Sequence, residues 1–116
     1  MLADDATPLN PEAYMLHVLA FITTKTGMRD AVLQEFRANM PSVHAKDGCI
    51  EYVPVIDVPT FGPFQAELRP DTFVVVEKWA STEALNAHAA SAHMKAYAAR
   101  TADRIETRMI HVLSPV

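Results

Sequence analysis

The chain has 116 residues, half of them apolar, with a net charge of −4 and a pI near 5.6. That length suits one domain with a real core, and the acidic balance argues against a nucleic-acid surface. Asp4 and Asp5 stand where a signal peptide would carry basic and apolar regions, and no apolar run approaches the ~20 residues that span a bilayer. The composition therefore predicts a cytoplasmic domain with neither membrane nor nucleic-acid partners.

Residues 1–13 hold two prolines and little periodicity, and read as an N-terminal arm ahead of a domain over 14–116. Tyr14 to Thr24 is rich in β-branched and aromatic residues and predicts a strand. Its alternation sets Leu16, Val18, Ala20 and Ile22 on one face and His17, Leu19, Phe21 and Thr23 on the other. Apolar side chains on both faces imply that both are covered. From Met28, the spacing of Met28, Val32, Phe36, Met40 and Val43 predicts a helix. Arg29, Asp30, Gln34, Glu35, Arg37 and Asn39 fill its outer surface, and Pro41 predicts a kink or an end near Met40.

Lys46-Asp47-Gly48 reads as a stop and a turn. A second strand is expected over Cys49 to Val58, with Pro54 arguing for a bulge or an edge. The lone Cys49 reads as a small buried hydrophobe. Pro59 to Asp71, with three prolines and a glycine, predicts a long loop of the kind that serves as a lid, a binding loop or an oligomer contact. Thr72 to Trp79 is the third strand. Ser81 suits a helix N-cap, followed by a helix from Thr82 to Ala90 and another from Ser91 to about Ala102; Ile105 to Leu113 alternates as a fourth strand. The order β-α-β-β-α-β predicts an α+β, ferredoxin-like antiparallel sheet with helices on one face. The apolar second face, with Leu19 and Phe21, predicts a homodimer packed sheet on sheet.

Groups able to do chemistry concentrate between Thr72 and Tyr97. Glu77 and Trp79 share a strand face, so a carboxylate lies beside an indole. His88 is the best acid–base candidate, because imidazole titrates near neutral pH; the competing reading is a core histidine bonded to a carbonyl. Tyr52 and Tyr97 can each donate to a bound oxygen, or simply pack. His88 and His93 are spaced to stand about 140° apart on a single helix, so no metal site is expected. The chain lacks a phosphate loop, a dinucleotide fingerprint and a nucleophile elbow.

Asp47-Gly48-Cys49-Ile50-Glu51-Tyr52, Glu77-Lys78-Trp79-Ala80-Ser81, and Leu85 with Ala87-His88 and Ser91-Ala92-His93 resemble the antibiotic biosynthesis monooxygenase domain. Within that group PSVHAKDGC, the insert with Phe64-Gln65, and His93-Met94-Lys95-Ala96-Tyr97 look like the bacterial quinol monooxygenases. The resemblance implies a dimeric α/β barrel that oxidises a hydroquinone or polycyclic phenol with dioxygen, without flavin, haem or metal. It implies His88 and Tyr52 as catalytic residues, and Trp79, Glu77, His93, Met94, Tyr97 and Ala20 around the substrate. Haem-degrading relatives resemble the chain at Trp79 but need an asparagine on the first strand, where Ala20 stands. Two alternatives remain: a non-catalytic small-molecule-binding or stress-response domain, and an isomerase of a phosphorylated signalling metabolite, for which the pocket face offers few cations.

Overall fold

The computed structural model describes residues 15–116; the expected N-terminal arm and Tyr14 lie outside that range. The elements run β1 (Leu16–Thr24), α1 (Arg29–His44), β2 (Cys49–Val55), β3 (Thr72–Trp79), α2 (Thr82–Ala89), α3 (Ala92–Thr101), a 3₁₀ turn (Ala102–Arg104) and β4 (Ile105–Leu113). The four strands form one antiparallel sheet in the order β2-β3-β1-β4. This is the ferredoxin-like α+β arrangement expected from the sequence, with two short helices in its second helical segment.

Register decides what each face carries. Leu16, Val18, Ala20 and Ile22 of β1 lie opposite Trp79, Glu77, Val75 and Phe73 of β3, and Tyr52 of β2 lies opposite Glu77. These residues make the helix-covered face, where Val32, Leu33, Phe36 and Val43 of α1 complete the core. The intervening residues make the outer face, with Leu19, Phe21, Val53, Val76 and Met109; Met109 is 60% exposed. Lys78 also points outward and pairs with Glu51 at 3.2 Å. On β4 the inward positions Arg108, Ile110 and Val112 stay exposed, because the helices cover β2, β3 and β1 and stop short of that edge.

Three details differ from the sequence expectations. Helix α1 runs through Pro41 to His44, since Val43 is fully buried and Pro41 O accepts from Ala45 N at 3.1 Å, which keeps the last turn in place. Asn39 belongs to the buried face, one turn beyond Phe36, instead of the outer surface. Strand β2 ends at Val55, three residues before the expected end; its edge position accommodates Pro54, and a register shift falls between Cys49 and Glu51. The loop that follows is closed at its base by Leu68 N donating to Asp57 Oδ2 at 2.9 Å. Its tip presents Phe61 and Phe64, edge to face at 5.2 Å, with Phe64 80% exposed.

Helix α2 is set by a cap and a turn. Ser81 Oγ accepts from Ala84 N at 3.1 Å. Gly48, at φ +82°, accepts at its carbonyl oxygen from Ala80 N at 2.8 Å, and a Cβ there would come within 2.5 Å of the Ala84 Cβ. Only glycine combines that backbone conformation with so close an approach. Gly48→Ala is expected to destabilise the fold by roughly 2 kcal/mol, read as a lower Tm; an unchanged Tm would show that α2 shifts freely.

Candidate active site

A cavity of about 490 Å³ opens between the sheet and α2–α3. Its floor is Val18, Ala20 and Ile22 from β1 with Val75 and Glu77 from β3; Phe36 and Tyr52 close one side, and His88, Met94 and Tyr97 form the helical wall. The wall exists because the chain breaks between the two helices. Ser91 caps α3 in an extended conformation and ties back to His88 O through its backbone N at 3.2 Å and its hydroxyl at 2.8 Å. The break turns α3, with Met94 and Tyr97, onto the sheet beside His88.

At the inner end, Trp79 Nε1 donates to Glu77 Oε1 at 2.9 Å. Glu77 is 7% exposed and Trp79 is fully buried. The His88 ring lies 4.6 Å from the indole at 31° and 5.4 Å from the Tyr52 ring at 69°. Tyr52 is itself stacked on Phe36 at 5.0 Å. Lys46, from the turn before β2, places its Nζ 3.4 Å from His88 Nδ1 and 3.3 Å from His88 O.

The structure thus gathers Ala20, Tyr52, Glu77, His88, Met94 and Tyr97 around one cavity. Two other predicted residues stand behind it. Trp79 lies beneath Glu77 and His88 instead of facing the cavity, and His93 Nδ1 donates to Asn39 Oδ1 (3.0 Å) on the α1 side. Asn39 in turn holds Met94 by Nδ2 to Sδ at 3.3 Å. Lys46 and Asn39 contact the cavity residues His88 and Met94 and were not among the expected site residues; the signal for Asn39 was its place on the Phe36–Val43 stripe. Lys95 and Arg108 also line the cavity. The long loop contributes no lining residue.

The sequence pattern of the antibiotic biosynthesis monooxygenase family matches residues 15–100. The chain belongs to that family. It is 37% identical over 103 residues to the Escherichia coli (strain K12) protein named "Probable quinol monooxygenase YgiN", covering 87% of this chain and 98% of that one. Among solved structures, PA3566 from Pseudomonas aeruginosa matches with a TM-score of 0.75 at 22% identity, over 90% of this chain and 97% of that one. A conserved protein from Methanosarcina mazei Go1 matches with a TM-score of 0.78 at 15% identity, over 91% and 97%. The two structural likenesses establish the fold.

In this monooxygenase-family site the proton states are set mainly by burial. Desolvation raises the Glu77 carboxyl above its ordinary range, and the Trp79 hydrogen bond only partly offsets it. Desolvation lowers His88 to about 4, helped by the positive charge of Lys46 and by His93. Burial raises Tyr97 to about 12 and pushes Tyr52 up further in the same direction. Near neutral pH the imidazole is therefore uncharged and both phenols keep their protons.

The His88 shift has a consequence for stability. As pH falls below 6.5 the unfolded imidazole takes up a proton while the folded one resists down to about 4. His88 therefore contributes stability above that window, which is lost as pH falls through it, on the order of 3 kcal/mol in full. Glu77, raised on folding, acts in the opposite sense, favouring the folded state at low pH. His88→Gln is expected to flatten the fall of Tm between pH 6.5 and 4; an unchanged acid limb would place the titration elsewhere.

Proposed function

We propose that this family member is a monooxygenase that oxidises a hydroquinone or polycyclic phenol with dioxygen. The observation that carries the reading is a mostly apolar cavity on which Glu77, His88, Tyr52 and Tyr97 converge. Among the described residues no partner is found for Glu77 Oε2, His88 Nε2 or either tyrosine hydroxyl. Polar atoms left open on an apolar wall suit an aromatic ring that carries oxygen substituents. The name of the E. coli relative, 37% identical to this chain, points to the same substrate class.

An electron-rich quinol, once deprotonated, supplies the electrons that dioxygen takes. Hydroquinone and dioxygen give hydroxyquinone and water, one oxygen atom entering the ring, so no further reductant is required. The protein's part is to orient the ring, promote loss of the proton and exclude water. His88 and Tyr52 hold the reacting oxygen; Ala20, Met94 and Tyr97 shape the ring's slot, with Glu77 at its inner end. Trp79 supports Glu77, and His93 supports Met94 through Asn39. A second reading, the phosphorylated-metabolite isomerase, draws on Lys95 and Arg108 at the cavity.

Oxygen uptake with a panel of hydroquinones separates these readings. Protein-dependent uptake that survives a chelator and falls in His88→Ala is the expected result. Quinone binding without uptake above autoxidation would favour a binding domain, and turnover of a phosphorylated metabolite without oxygen would favour the isomerase.

The family member is further proposed to work as a homodimer joined through the outer sheet face, since Leu19, Phe21 and Met109 form an apolar surface of the kind monomers rarely leave to water. Sedimentation should give twice the chain mass, and Met109→Glu should shift it toward the monomer; a wild-type monomer at micromolar concentration would overturn this assembly.

A further inference from the structure

Two cavity groups are each held by a residue that can only donate. Lys46 Nζ contacts both the His88 carbonyl oxygen and ring Nδ1. An ammonium has no acceptor, so Nδ1 must accept, and the neutral ring then carries its proton on Nε2. The indole of Trp79 likewise occupies Glu77 Oε1 as a pure donor. That leaves Oε2 without a partner among the described residues, on a side chain that lines the cavity.

Resting on the quinol-oxidising reading above, we propose that Lys46 is a positioning residue that fixes His88 as an Nε2–H donor to the substrate oxygen, leaving Glu77 Oε2 as the proton acceptor. In this step the quinol O–H bond breaks. Its proton goes to Glu77 Oε2, and its electron pair stays on the oxygen, which takes the His88 Nε2–H hydrogen bond. The carboxylate becomes neutral as the quinol becomes an anion, so the net charge of the cavity is unchanged. A carboxyl raised by burial is also better matched to a phenol than an ordinary one. The other titratable groups nearby do not compete. Tyr52 and Tyr97 keep their protons, Cys49 is raised by burial and lies off the cavity lining, and His93 is engaged with Asn39.

The tautomer is read on the free wild-type protein by long-range ¹H–¹⁵N correlation of the histidine rings, with His88 assigned through His88→Gln. A single Nε2–H form that becomes mixed in Lys46→Met is expected; an Nδ1–H form, or a ring indifferent to Lys46→Met, overturns the positioning role. Turnover is then measured as oxygen uptake with 1,4-dihydroxynaphthalene. Glu77→Gln keeps an acceptor for the indole but cannot take a proton, and should lose at least ~100-fold in kcat together with the acid limb of the pH profile. His88→Gln keeps an N–H donor and should lose only ~10-fold, less than His88→Ala. A Glu77→Gln variant that retains turnover and its acid limb, or a His88→Gln variant as impaired as Glu77→Gln, overturns the assignment of the acceptor. If the wild type consumes no oxygen, the functional reading falls with the acceptor role, while the ring spectrum still decides the role of Lys46.

Discussion

A carboxyl group on the inner face of a central strand is costly unless it is satisfied, and the site depends on how Glu77 is satisfied. The indole of Trp79, two residues along the same face, supplies one hydrogen bond and no charge. An arginine partner would have held the carboxylate ionised and occupied it at both oxygens. A single neutral donor leaves one oxygen open and lets burial raise the group's proton affinity. His88 then packs over the indole and Tyr52 beside His88, so the indole that satisfies the acid also backs the cavity wall.

The cavity is a consequence of incomplete coverage. Helix α1 fills the space over β2, β3 and β1 with Val32, Phe36 and Val43, but the second helical segment is divided into two short helices. The division leaves a gap over β1 and β4 where Ala20 presents almost no side chain and Ile110 and Val112 remain exposed. A continuous helix across Ala90 and Ser91 would carry His88 and Met94 on diverging faces. The serine that interrupts it, bonded twice to His88 O, is thus a structural determinant of the site.

The turn at Lys46 to Gly48 links the two halves of this arrangement. Gly48 holds α2 close to β2 through a left-handed backbone and a hydrogen bond to Ala80, while Lys46 reaches from the same turn to His88. Burial keeps His88 neutral, and the nearby Lys46 charge adds to that preference. One short segment that connects α1 to β2 therefore positions α2 and adds to the effect of burial on His88.

The sequence alone determined the order of the elements, the faces of β1 and β3, the Ser81 cap and the pairing of Glu77 with Trp79, because period-two alternation and capping are local properties. It was the family resemblance, not local spacing, that placed Ala20, Tyr52, His88, Met94 and Tyr97 around a pocket, where the structure gathers them. Position around the cavity was not legible. Trp79 moved behind the wall, His93 turned to Asn39, and Lys46 and Arg108 arrived at the site from segments read as a turn and a fourth strand. Pro41 likewise failed to end its helix because a distant core holds Val43. Each of these depends on which surface of one element meets another, and that is settled by strand register and helix docking over the whole chain, which no local spacing encodes.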